Sequence, residues 1–257
     1  MPFVLFEVKD AVAYITLNRP EKYNAFNREM ALLLQEKLDQ CKSKDIRCVY
    51  ITGAGKAFCS GQDLDEVVDP NGPKIEHIVG EHYNPIITRI RKLEKPVVAA
   101  VNGVAAGAGA NIALACDLVV ASQSASFIQA FSKIGLIPDS GGTFFLPRLI
   151  GWQKASALMM LGDKISAEDA ERMNMIYKFF SNETFNEEAK KIATTLAAMP
   201  TKGLAFTKLL LDNSFENSYE DQLEDEENYQ QRAGGTKDYK EGVQAFLEKR
   251  NPNFTGE

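Results

Sequence analysis

The chain has 257 residues, 45% of them hydrophobic and 25% charged, with a formal charge of −6. That balance suits a globular protein with a sizeable core. It argues against a nucleic-acid partner, because no Lys/Arg cluster is long enough to follow a phosphate backbone. No apolar run reaches membrane-spanning length, and the first seven residues lack the basic region and apolar core of a secretory signal; no membrane and a cytoplasmic location are expected. Cys41, Cys48, Cys59 and Cys116 show no Cys-x-x-Cys spacing, which suits free thiols in a reducing compartment.

In chain order, Val4–Val8 and Val12–Leu17 read as a hairpin of β-branched and aromatic runs. Asn24–Cys41 has apolar residues near helical spacing, with Asn27 as its N-cap. Arg47–Thr52 is a strand, Tyr83–Leu93 a helix, Val97–Val101 a strand and Gly107–Ala115 a buried small-residue helix. Leu118–Ala121 and Ala125–Ile128 are further strands. This alternation implies parallel pairing through crossover helices, an α/β fold. A helix is expected to begin at the Asp139-Ser140-Gly141-Gly142 sequence, since Pro138 forbids helix just before it. Beyond about residue 150 the strand signals stop. Gln153–Leu161, Ser166–Asn174, Asn186–Met199, Thr201–Asp212, Tyr219–Ala233 and Lys237–Lys249 all read as helices, and the acidic Glu216–Glu227 stretch as a solvated helix face.

Two glycine-bearing turns carry most of the chemistry. Ala57-Phe58-Cys59-Ser60-Gly61-Gln62-Asp63-Leu64 follows one strand, and Asn102-Gly103-Val104-Ala105-Ala106-Gly107-Ala108-Gly109-Ala110 follows another. Glycine and alanine leave main-chain N–H groups unshielded. Two such turns facing one cleft hold an oxygen between two amide donors, the arrangement that stabilises an oxyanion. Neither is a phosphate fingerprint. Small residues that merely let a helix pack on a sheet are the plain alternative for either turn alone. The third stretch, Phe131 to Thr143, centres on Asp139. This residue is either an ordinary N-cap or, aimed into an apolar cleft, a carboxyl whose proton affinity desolvation raises into the working range of a proton carrier.

These three stretches, with Asn18-Arg19-Pro20-Glu21-Lys22-Tyr23-Asn24-Ala25-Phe26 ahead of them, resemble the crotonase (enoyl-CoA hydratase/isomerase) superfamily over essentially the whole chain. The resemblance implies a spiral of ββα units over residues 1–195 and a C-terminal helical trimerisation region over 196–257. A homotrimer, or a hexamer made of two trimers, is implied with it. It implies an acyl-CoA thioester substrate, with coenzyme A as part of the substrate and no separate cofactor or metal. The thioester oxygen would be held by the N–H groups of Gln62 and Ala108, with Asp139 as the catalytic side chain. Lys22, Tyr23, Ala25, Gly61, Asp63, Leu64, Gly107, Phe131 and Lys249 would line the acyl-CoA path. Lys249 reads equally well as a solvated helix-end lysine.

The departures narrow the expectation. Hydratases of the family carry two glutamates, where Asn111 and Phe131 stand here, and neither exchanges a proton at neutral pH. Other branches, including dienoyl-CoA isomerases and aryl-CoA dehalogenases, place an aspartate at the position of Asp139. Asp69-Pro70-Asn71-Gly72-Pro73, the Phe131–Asp139 stretch and Asp238–Arg250 further resemble the branch that rearranges the ring epoxide of an aryl-CoA thioester. The sequence therefore points to an acyl-CoA isomerase working through one aspartate. Double-bond isomerisation, dehalogenation and a non-catalytic CoA-ester- or RNA-binding role are the alternatives. His77 and His82, spaced i,i+5 among glutamates, are expected as surface residues, and Cys59 as a small buried thiol.

Overall fold

The computed structural model describes all 257 residues. The strands are β1 (Val4–Lys9), β2 (Val12–Leu17), β3 (Cys48–Gly53), β4 (Ala57–Cys59), β5 (Val97–Val101), β6 (Val104–Ala106), β7 (Leu118–Ser122), β8 (Ser126–Ile128), β9 (Lys164–Ser166) and β10 (Lys178–Phe180). The helices are α1 (Arg28–Gln40), α2 (Leu64–Val68), α3 (Ile75–His77), α4 (Asn84–Lys92), α5 (Ala108–Leu114), α6 (Gly142–Ile150), α7 (Trp152–Leu161), α8 (Ala167–Arg172), α9 (Phe185–Ala198), α10 (Thr201–Asn213), α11 (Tyr219–Gly234) and α12 (Lys237–Glu248).

One sheet runs β1-β2-β3-β5-β7-β10, antiparallel only at the β1–β2 hairpin; the second runs β4-β6-β8-β9. Consecutive strands divide between them: β3, β5 and β7 join the first sheet while β4, β6 and β8 join the second. Each step of the chain thus supplies one strand to each layer before turning, which is the ββα spiral of the crotonase fold. The β-branched and alanine runs of β3 and β5 are buried on both faces, as parallel strands covered on each side must be. α9 covers the outer face of the large sheet, setting Phe185, Ala189, Ala193 and Ala197 against Val12, Tyr50, Val98 and Val120.

Asn27 caps α1 by accepting from the Met30 N–H, and Ser166 caps α8 through Asp169, as their sequences suggest. Three expectations are corrected. Strands do not stop at residue 150: β9 pairs antiparallel with β8, and β10 pairs parallel with β7. Both are three-residue edge strands whose order comes from the partner rather than from β-branched content. The helix after Pro138 begins at Gly142, because Ser140 and Gly141 both take left-handed backbone (φ 52° and 73°) and turn the chain first. A single π-helical turn, Ile78–Tyr83, precedes α4. It carries His82 inward, where the imidazole is fully buried and neither ring nitrogen has a partner; only His77 is a surface residue.

α10, α11 and α12 leave the sheets behind. α11 buries no residue, and Leu211, Phe246 and Leu247 are 62%, 83% and 70% exposed. The C-terminal tail folds back onto α12, where the buried Asp238 carboxylate accepts from the N–H groups of Thr255 and Gly256. No helix is long and apolar enough to cross a membrane.

Candidate active site

The two glycine turns meet. At Gly61, where φ is +95°, a Cβ would stand 3.0 Å from the Ala106 carbonyl oxygen and 3.6 Å from the Ala108 nitrogen. The Phe26 N–H donates to the Gly61 carbonyl at 2.7 Å and the Asp63 N–H donates to the Phe26 carbonyl at 2.8 Å. Gln62 is therefore gripped on both sides, while its own N–H has no acceptor in the chain. Gly107 takes a conformation open to glycine alone (φ 52°, ψ −128°), and its N–H donates to Ile128. α5 starts immediately after it, so the Ala108 N–H falls in the first helical turn, where no carbonyl partner exists. Two unpaired amides on touching turns form a charge-complementary spot for a carbonyl oxygen that gains negative charge.

Aromatic side chains enclose the turns. The Phe131 ring reaches within 3.8 Å of the place a Gly107 Cβ would occupy, and it is almost wholly buried. Tyr83, also buried, donates its hydroxyl to Gln62 Oε1 at 2.8 Å and sets its ring edge-on to Phe26. Gln62 Nε2 in turn donates to Glu66 Oε2 at 2.8 Å.

Asp139 is half-buried in the segment between Phe131 and α6. Burial lifts its carboxyl above the ordinary aspartate range; hydrogen bonds from the Ser140 hydroxyl and from its own N–H pull the other way. The Tyr83 phenol is raised well above its usual range, by burial above all, with the Cys59 thiol and the Asp139 and Glu66 carboxyls adding to it. One helical turn beyond Tyr83, Ile87 faces Gly141. Asn111 is fully buried. Its Nδ2 donates to the Asp139 carbonyl, and its Oδ1 accepts from Gln129, both at 2.8 Å.

The loop of residues 19–26 is strapped over the first turn. Arg19 pairs with Asp63 at 2.9 Å, Lys22 with Asp65, and the Ser60 N–H donates to the Tyr23 carbonyl. Tyr23 and Leu64 are exposed at the rim, whereas Ala25 is buried beneath. The Asp63 side chain is occupied by Arg19 and by capping α2. Lys249 sits at the end of α12, and no hydrogen bond or ion pair joins it to the loop or the turns. Cys59 is fully buried, its thiol pushed up to about 12 by burial, and Gly109 packs so closely that a Cβ there would lie 2.4 Å from the Cys59 carbonyl oxygen. It is a small core thiol. Tyr83 and Gln129 carry no motif in the sequence. Only their tertiary contacts bring them to the site.

A ββα spiral whose two glycine turns meet, each with an unpaired amide, is the architecture of the crotonase class. The chain belongs to the enoyl-CoA hydratase/isomerase family, which it matches over residues 7–257, and it is an enzyme of that superfamily. It is 49% identical over 260 aligned positions to the 1,2-epoxyphenylacetyl-CoA isomerase of Escherichia coli (strain K12), covering 100% of this chain and 99% of that one. It is 38% identical to a trans-2-decenoyl-(acyl-carrier-protein) isomerase of Streptococcus mutans, covering 98% of each. Among solved structures, an enoyl-CoA hydratase/isomerase from Mycobacterium abscessus superposes with a TM-score of 0.92 at 36% identity, over 99% of this chain and 100% of that one.

Proposed function

We propose that the protein is an acyl-CoA isomerase that converts the ring epoxide of phenylacetyl-CoA to the seven-membered oxepin-CoA. The observation that carries this reading is the pair of unpaired amides on the two meeting turns, with Asp139 half-buried in the segment that follows Phe131 and with Asn111 and Phe131 where the resemblance places the hydratase glutamates. The thioester oxygen accepts from the Gln62 and Ala108 N–H groups. The carbon–carbon bond shared by the epoxide and the six-membered ring opens to give the seven-membered ring; Asp139 takes a proton from the carbon beside the thioester, the charge that develops is held on the oxygen between the amides, and the same carboxyl returns the proton at a ring carbon as the double bonds shift. Nothing is added or lost, so the product is an isomer of the substrate. A carboxyl whose proton affinity is raised by burial suits both halves of that cycle, since it must release what it has taken.

Phe131 against Gly107, with Tyr83 and Phe145 nearby, makes an aromatic, uncharged surround that suits an aryl ring. The Escherichia coli relative supports the same substrate. A second reading, migration of a double bond in an aliphatic enoyl thioester, is favoured by the Streptococcus mutans relative. Lys22, Tyr23, Ala25, Leu64 and Lys249 are proposed to meet the coenzyme A moiety. The exposed Phe246, Leu247 and Leu211 of the last helices are proposed to be covered in a trimer or hexamer. The test is a panel of aryl and aliphatic acyl-CoA thioesters scored for products of unchanged mass. Turnover of the ring epoxide well ahead of every aliphatic enoyl-CoA is expected; preference for an aliphatic enoyl-CoA would replace the aryl reading with the second.

A further inference from the structure

The two oxygens of the half-buried Asp139 carboxylate are not equivalent. Ser140 Oγ donates to Asp139 Oδ1 at 2.9 Å, and no other side chain donates to that carboxylate. Ser140 is itself 1% exposed and sits at φ 52°, a left-handed conformation unusual for a residue with a Cβ. The strain is held from outside. The Asp139 carbonyl accepts both from Asn111 Nδ2 at 2.8 Å and from the Gly142 N–H at 2.9 Å, and Asn111 is anchored by Gln129 at 2.8 Å. The main chain on each side of Ser140 is thereby pinned, and its buried hydroxyl has the Asp139 carboxylate as its one hydrogen-bond partner. Strained backbone of this kind persists where the surroundings over-determine it.

Resting on the reading of Asp139 given above, we propose that Ser140 is a positioning residue: it holds Asp139 Oδ1 and leaves Oδ2 as the oxygen that carries the substrate proton. The other groups of this region do not duplicate the role; from α2, the half-buried Glu66 carboxylate accepts from Gln62 Nε2 and donates nothing to Asp139. From the π turn comes Tyr83, a neutral phenol whose hydroxyl is given to Gln62; from α4, Ile87 is apolar, and the Arg91 guanidinium over the Phe145 ring is committed to Asp117 and Asp212. From α5 comes Asn111, a neutral amide that reaches the main chain and not the carboxylate. On α6 the one cation is Arg148, stacked on Phe144.

The experiment compares the pH dependence of kcat/KM for the parent, Ser140→Ala and Ser140→Gly, using whichever acyl-CoA of the panel is turned over best. The hydroxyl favours the ionised carboxylate, so its loss raises the pH at which Asp139 gains its proton. Both variants should move the acid limb upward by about one pH unit, with KM changed by no more than a few-fold. Ser140→Gly should melt at or above the parent temperature, because glycine adopts the left-handed backbone freely. That variant separates the hydroxyl from any folding defect in Ser140→Ala. An acid limb that stays in place in both folded variants overturns the inference. Asp139→Asn, run alongside, keeps the two readings apart. If it retains turnover, the assignment of Asp139 fails. If it is inactive while the serine variants keep the parent limb, only the role of Ser140 fails.

Discussion

Gly142→Ala tests how tightly the carboxyl-bearing segment is locked, without touching any group that meets substrate. A Cβ at Gly142 would fall 2.3 Å from Asn111 Nδ2, 2.7 Å from its Cγ and 2.9 Å from its Oδ1. Overlap with the end of a free side chain would be relieved by a small swing. Asn111 has no such freedom, since it is fully buried and hydrogen-bonded at both ends, to Asp139 and from Gln129. The methyl group must therefore either displace the carboxamide or push α6 outward. Overpacking of this kind costs about 1–3 kcal/mol, and a buried hydrogen-bonding group left unpaired about 1–3 kcal/mol more. Better helix propensity of alanine in the first turn of α6 returns up to about 1 kcal/mol. The net is a loss of about 1–6 kcal/mol, read as a melting temperature lower by about 2–24 °C. Turnover should fall as well, because the Asp139 carbonyl loses one of its two donors. Differential scanning fluorimetry and steady-state kinetics check both effects. The double variant Asn111→Ala/Gly142→Ala should be no less stable than Asn111→Ala alone, because the overlap is gone. A Gly142→Ala protein with parental melting temperature and parental rate would refute the reasoning, as would strictly additive losses in the double variant.

Asp139→Asn should lower kcat by about 10²–10⁴-fold, the usual worth of a positioned proton carrier, with acyl-CoA affinity held within a few-fold by isothermal titration calorimetry. In the parent, kcat/KM should fall as pH drops through a value above the ordinary aspartate range of about 3.9, since burial raises the Asp139 carboxyl and only its ionised form accepts a proton. Hydration of crotonyl-CoA should be negligible beside isomerisation, because Asn111 and Phe131 activate no water; comparable rates in a spectrophotometric assay would show that those positions are misassigned. Truncation before Asn217 removes the exposed apolar faces of α11 and α12 and should give insoluble or monomeric, inactive protein. A full-length chain that sediments as a stable monomer at micromolar concentration would place those faces outside any subunit contact.

Much of the architecture was legible in the chain. The β-branched run of β3 and the valine/alanine run of β5 announce strands buried on both faces, and Asn27, Ser166 and Pro138 mark boundaries through local hydrogen bonding and steric exclusion. The glycines of the two turns are equally local signals. The order of the motifs was enough to assign the family that the comparisons establish. The short strands β9 and β10 were not legible, because three residues acquire strand geometry from the neighbour they pair with and not from their own preference. The burial of His82 depended on a π turn that no periodicity of 3.6 reveals. The start of α6 moved from Asp139 to Gly142 because contacts from Asn111, 28 positions earlier, hold the intervening residues in left-handed backbone. Local chemistry and spacing thus determined the strands and the caps and singled out Asp139 as the candidate carboxyl. Which atoms hold that carboxyl, and what encloses it, depended on hydrogen bonds between residues far apart in the chain, which only the folded structure brings together.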